Sequence, residues 1–159
     1  MPSTATTTPT ARMAIHQTAP EAHRAVGAVE AIVRDALDRR LFELVKLRAS
    51  ILNGCAFCVD MHATDLLRDG EDVRRVLAVA AWRESPFFTE AERAALDLTD
   101  AVTRLGDHGV PDGVWDAARA AFDEATLGHL VVAIGLINLW NRLAVTTHAQ
   151  PPALAERAA

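Results

Sequence analysis

Cysteine is scarce in this chain, with two residues in 159. That is too few for a secreted scaffold held by disulfides, so a lone pair points to intracellular redox chemistry or a metal. Basic charge is also in deficit. Lys and Arg total 16 against 21 Asp and Glu, a formal net charge of −5. A protein that grips a phosphate backbone needs a basic face, so nucleic acid is not an expected partner. The local exceptions, Arg39-Arg40 and Arg74-Arg75, are interrupted by acids and read as solvated helix faces. The first ten residues contain no apolar stretch, which argues against a secretory signal. They are rich in threonine and are expected to belong to a flexible tail over residues 1–12. A second loose tail is expected over 151–159, opened by Pro151-Pro152. Long apolar runs are missing too. Leu127 to Trp140 is broken by His129 and Asn138. It falls short of the ~20 residues that cross a bilayer. No membrane partner is expected, and the expected location is the cytoplasm. No alternating run of β-branched residues bounded by turn signals occurs, so no sheet is expected.

What remains is helix, in one domain over residues 13–150. Half of the residues are hydrophobic and 23% are charged, enough to bury a real core. Pro20 suits the first position of a helix, and Glu21 suits its positive end. Apolar positions then recur through Val26, Val29, Ile32, Val33 and Leu37. A second helix covers about Arg39 to Leu52, and Asn53-Gly54 stops it because both residues tolerate a left-handed backbone. A third runs from about Cys55 to Arg68. Further helices are expected over Asp72 to Trp82, from a Thr89/Glu92 capping box to about Leu105, over Asp112 to Phe122, and over Thr126 to Thr147. The last is apolar on most sides and is expected to be central. Helices joined by short loops make an antiparallel bundle, an all-α fold.

The two cysteines carry the chemical signal. Cys55 and Cys58 stand three apart, with His62 four residues further on. At a helix start, unpaired N–H groups and the helix dipole favour thiolate over thiol. Residues three and four apart share a helix face, so Cys55 can meet Cys58 and Cys58 can meet His62. A protonated His62 would lower the Cys58 pKa further; a neutral one could act as a base. Glu43, flanked by apolar residues on the preceding helix, would fold back against this site. Partly desolvated, it would suit proton transfer; on an exposed face it would be only a surface carboxylate. Two rival readings stay open. Cys55, Cys58 and His62 could supply three zinc ligands, with a fourth from His108, His129 or His148. The pair could also be apolar filler.

The spacing of Glu43, eleven residues, Cys55, two, Cys58, three and His62 resembles the motif of the alkylhydroperoxidase D-like branch of the carboxymuconolactone decarboxylase superfamily. The segments Glu43 to Ser50, Asn53 to His62, Trp82 to Thr89 and Leu139 to Leu143 look typical of it, and the likeness spans about Met13 to His148. The resemblance implies an all-helical bundle that assembles into homo-trimers or hexamers. It implies a thiol-dependent peroxidase, with no haem, flavin or metal cofactor, served by an external dithiol reductant. By motif match Cys58 resembles the peroxidatic cysteine and Cys55 the resolving one, with Glu43 and His62 as the proton relay. Some members place a histidine between the cysteines; here Ala56 and Phe57 stand there, which removes one relay group. Decarboxylase members generally lack the pair, which argues against lactone decarboxylation. A disulfide oxidoreductase and a non-catalytic redox-sensing or metal-binding protein are the alternatives. Trp140, Asn141 and Arg142 could line a pocket or a subunit contact, or serve only packing and solvation. His129 reads as a satisfied core histidine, and Trp82, Phe87 and Phe88 as packing or a channel wall.

Overall fold

A computed structural model describes residues 9–154. Every regular element among them is helical. The order is α1 (Ile15–Thr18), α2 (Pro20–Ala36), α3 (Arg39–Asn53), α4 (Ala56–Arg68), α5 (Val73–Ala78), a 3₁₀ turn (Val79–Ala81), α6 (Glu90–Thr103), α7 (Asp112–Ala121) and α8 (Glu124–Thr147).

Local chemistry explains the boundaries. Pro20 opens α2, with Glu21 in the first turn. The Asp38 side chain caps α3 by accepting from the Leu41 N–H at 2.9 Å. Gly54 ends α3 at φ 66°, a left-handed conformation that glycine adopts without steric cost. In the α6 capping box, Thr89 Oγ1 accepts from Glu92 N–H, and Glu92 Oε2 accepts from Thr89 N–H. Asp123 caps α8 by accepting from Thr126 N–H, so that helix starts two residues before the sequence reading placed it. The expected helix over Asp72 to Trp82 is shorter than anticipated: it tightens to a 3₁₀ turn after Ala78. The short α1 had no forecast at all.

Helix α3 is the centre of the molecule. It packs against α2, α4, α6, α8 and the 3₁₀ turn. Leu41, Phe42, Leu44, Val45 and Leu47 point to several sides and are all buried. Leu41 and Val45 join Leu98, Leu127, Leu130 and Ile134 in one cluster. Leu44 and Leu47 join Leu66, Val79, Trp82, Phe88 and Leu96 in a second. Phe42 meets Val33, Leu37 and Ala133 in a third. Trp82 and Phe88 are thus core residues, as their packing reading expected. Helix α8 is long and apolar enough, by length and composition, to cross a membrane. Here it supplies Leu127, Leu130, Ala133, Ile134 and Ile137 to the core. His129 departs from the sequence reading. It is not a core residue; its Nδ1 pairs with the Ala125 carbonyl one turn back, 2.8 Å away. Arg75 departs too, because it is not simply solvated. It pairs with Glu71 at 2.9 Å and Glu92 at 2.6 Å and lies over the Phe88 ring. Both tails lie partly outside the described residues, at 1–8 and 155–159. Within the described part, Arg12 donates its backbone N–H to the Thr147 carbonyl at 2.8 Å, so this segment runs against the end of α8.

Candidate active site

The turn between α3 and α4 builds the site. Cys55 is the N-cap of α4, in extended conformation, and its sulfur accepts from the Cys58 N–H at 3.2 Å. A sulfur thus sits where helices usually place a serine or aspartate oxygen. Cys58 lies in the first turn, and the two sulfurs are joined as a disulfide with Cα atoms 5.3 Å apart. In this oxidised form neither sulfur is a thiolate that could ligate a metal. Cys55 is 1% exposed and Cys58 2% exposed, but only Cys58 lines the adjoining cavity.

One turn along α4, His62 points its Nδ1 at Glu43 Oε2, 2.7 Å away on α3. Both side chains are buried, so Glu43 is not the surface residue that pattern alone allowed. The carboxylate accepts from Nδ1–H, which leaves Nε2 as a lone pair. That Nε2 is buried and has no hydrogen-bond partner. Burial holds His62 below the ordinary histidine range; the Glu43 bond pulls it back up and the Lys46 charge opposes that pull. At neutral pH His62 is therefore a neutral base whose free nitrogen faces no competing donor. Asp65 approaches the same pair: one ligand atom from each of Glu43, His62 and Asp65 fits within a 4.8 Å span. That trio, rather than the cysteines with His62, is the set that could offer a cation two oxygens and a nitrogen.

The four residues named from the sequence therefore come together, two from the α4 start, one a turn further and one from α3. His108, His129 and His148 are not among the residues grouped with them.

The cavity holds about 540 Å³. Phe57, Cys58, Met61 and His62 of α4 form one wall. Ile137, Trp140 and Leu143 of α8 form another, and Ala14, Ile15 and His16 cover it from the N-terminal side. Two charged groups share this apolar space. Lys46, 3% exposed, pairs with Glu30 of α2, and Glu30 Oε2 also accepts from Trp140 Nε1 at 3.0 Å. Trp140 is thus a cavity residue, packed edge-on to His23. Sequence reasoning missed Lys46 and Glu30. Their signal was weak: a lysine among apolar residues on the buried helix, three positions after Glu43.

A buried amide network steadies the turn from below. Asn53 Nδ2 donates to Asn138 Oδ1 at 3.0 Å and to Asn141 Oδ1 at 2.9 Å. Asn141 Nδ2 donates to Ser50 Oγ at 3.0 Å. Asn141 is fully buried, so it belongs to this network and not to a solvated helix face. In a low-dielectric interior such bonds are costly to leave unmade, so they fix where α3 ends and the cysteine turn begins.

An all-helical fold with a cysteine pair at a helix start and a buried Glu–His couple beside it defines a class. The chain belongs to the carboxymuconolactone decarboxylase family, whose description matches residues 20–101, and it is of the AhpD-like kind. Among solved structures it is similar to ATU0492 from Agrobacterium tumefaciens, a protein of unknown function assigned provisionally to antioxidant defence as AhpD. The two share 44% identity at a TM-score of 0.88, over 91% of this chain and all of that one (100%). Among curated proteins it is 36% identical to the uncharacterized YdfG of Bacillus subtilis, over 84% of this chain and 92% of YdfG. It is also 36% identical to the alkyl hydroperoxide reductase AhpD of Coxiella burnetii, over 31% of this chain and 30% of that protein.

Proposed function

We propose that this protein is a thiol-dependent peroxidase. The observation that supports it most is the asymmetry of the cysteine pair. Cys58 lines an apolar cavity that His62, one turn along α4, also lines, and the His62 Nε2 has no hydrogen-bond partner; Cys55 is joined to Cys58 but does not line the cavity. In the reduced enzyme His62 accepts the Cys58 proton, and Glu43 stabilises the imidazolium. The Cys58 thiolate attacks the hydroperoxide: an S–O bond forms, the O–O bond breaks, sulfur is oxidised to sulfenic acid, and the departing alkoxide takes the proton that His62 accepted and leaves as an alcohol. Cys55 then condenses with the sulfenic acid, forming the disulfide and releasing water. An external dithiol returns both thiols by exchange. The sulfur carries the whole redox change.

Two further expectations belong to this reading. The cytoplasm supplies the reducing conditions the cycle needs. Self-association as a trimer or hexamer would cover the apolar side chains exposed on α2 and α8, Ile32, Val132 and Val145 among them. The test is hydroperoxide consumption in the presence of a dithiol. Turnover that depends on Cys58 supports the assignment; turnover that survives Cys58→Ser overturns it. If a small or protein disulfide is reduced faster than any hydroperoxide at equal enzyme, the chain is a disulfide oxidoreductase using the same cysteines. Stoichiometric zinc without dithiol-dependent activity would mark a non-catalytic binding protein.

A further inference from the structure

The sulfur of Met61 has no part in the chemistry just described. The chain holds three methionines, and the two among the described residues, Met13 and Met61, both line the cavity that Cys58 lines. Met61 lies on α4 three residues after Cys58, so the two share a helix face. A helical methionine leans back over the turn before its own Cα, and here that turn carries Cys58. Met13 comes from the N-terminal segment instead and is the more exposed of the two, 53% against 39% for Met61. Its sulfur also accepts from the Thr18 hydroxyl at 3.9 Å. As part of an apolar wall, Met61 does nothing that a leucine would not do. What it adds is a thioether, which two-electron oxidants attack.

In the disulfide form Cys58 has no thiolate to offer, yet the cavity stands beside it. A hydroperoxide held there by apolar contact, with its O–O bond placed for Cys58, has the Met61 thioether one helical turn away. Resting on the peroxidase reading, we propose that Met61 is a second oxidation site, which takes oxygen from the bound hydroperoxide and slows the enzyme when reductant is short. In this step the Met61 sulfur bonds to the terminal peroxide oxygen and the O–O bond breaks. Sulfur loses two electrons and the peroxide gains them. The hydroperoxide's own proton passes to the departing alkoxide, which leaves as an alcohol, so no further reactant is needed. The product is a sulfoxide, a polar S–O group set in a wall shared with Phe57, Ile137 and Leu143. An apolar hydroperoxide binds less well against that group, because the S–O loses water without gaining a hydrogen bond. Methionine sulfoxide reductases reverse the change, which makes it a brake and not only damage.

The two methionines test each other. The full chain in its disulfide form, free of reductant, is treated with cumene hydroperoxide or with hydrogen peroxide, and peptide mapping by mass spectrometry follows sulfoxide at Met61 and Met13. Hydrogen peroxide is too small and polar for the apolar wall to hold, so it should follow exposure and favour Met13. Cumene hydroperoxide should raise the Met61 to Met13 ratio by at least about tenfold, because binding delivers the oxygen. The Thr18 hydrogen bond is present with both oxidants, so the change in ratio is free of it. Excess cumyl alcohol, which fills the cavity without oxidising, should abolish the rise. The protein carrying Met61 sulfoxide is then reduced with dithiol, and its single-turnover oxidation by cumene hydroperoxide should be slower by about tenfold or more. Methionine sulfoxide reductases should restore the rate. The same ratio with both oxidants would show that exposure alone governs, and an unchanged rate after Met61 oxidation would remove the brake; either overturns the proposal. Cysteine thiols left intact when the reduced protein meets cumene hydroperoxide would overturn the peroxidase reading itself, and the brake on it too.

Discussion

Replacing Glu43 by glutamine removes one negative charge and keeps the length of the side chain. Glu43 is 4% exposed, and its hydrogen-bond partner among the described residues is His62, 2.7 Å away. The glutamine amide can meet His62 in two ways. If its carbonyl accepts from Nδ1–H, the free Nε2 persists but the imidazolium formed on taking the Cys58 proton has no counter-charge. If its NH₂ donates to Nδ1, the histidine proton moves to Nε2, and no lone pair is left to take the Cys58 proton. The first outcome weakens base catalysis and the second removes it, and base catalysis contributes roughly 10²–10⁴-fold in well-placed sites. A loss of about 10²–10³-fold in the rate of sulfenic acid formation is expected, or ~2.7–4.1 kcal/mol at 1.36 kcal/mol per decade. The assay is single-turnover oxidation of reduced protein by one equivalent of cumene hydroperoxide, quenched with acid and read by mass spectrometry. Alkylation of Cys58 by iodoacetamide, which needs the thiolate but no peroxide, should slow in parallel. A Glu43→Gln protein that oxidises within about threefold of wild type would refute the relay, since base removal should cost at least ~10²-fold.

Cys55→Ser should complete one oxidation and then stop, with Cys58 sulfenic acid trapped by dimedone; continued turnover on dithiol would deny Cys55 its resolving role. His62 is held below its unfolded value near 6.5, so the unfolded chain takes up this proton first as pH falls. Its contribution to stability is therefore intact above about pH 7 and is lost on acidification through 6.5, with a slope of up to ~1.4 kcal/mol per pH unit. Urea titrations of wild type and His62→Gln between pH 7.5 and 5 would read this, with the slope absent in the variant. Leu130, fully buried between α3, α6 and α8, should cost about 2–5 kcal/mol when cut to alanine. At roughly 2–4 °C per kcal/mol for a chain of this size, the melting temperature should drop by about 4–20 °C.

Features with local causes were legible in the sequence. Pro20, Asn53-Gly54 and the Thr89/Glu92 box each act within a few residues, and the structure puts helix ends at all of them. The Cys55, Cys58 and His62 spacing also needs only one helix to bring its members to one side. Glu43 was harder. Its pattern fitted a surface carboxylate and a buried one equally, and only the docking of α4 on α3 decides. Lys46, Glu30 and Trp140 meet from three helices, so no local rule could join them. The Asn53, Asn138 and Asn141 network joins residues 85 and 88 positions apart. Asn138 left a trace, as a polar break in an apolar run, but the trace does not name its partner. The α1 segment was invisible for the opposite reason: four residues carry too little periodicity to register.

The central claim is that Cys58 meets a hydroperoxide and Cys55 closes the cycle. The most direct measurement counts thiols and alcohol together after one equivalent of cumene hydroperoxide is added to the fully reduced protein. The expected result is loss of both thiols to a Cys55–Cys58 disulfide, with one alcohol formed per chain and no loss of peroxide in Cys58→Ser. Both thiols surviving beside unspent peroxide, or the same consumption in Cys58→Ser, would contradict it.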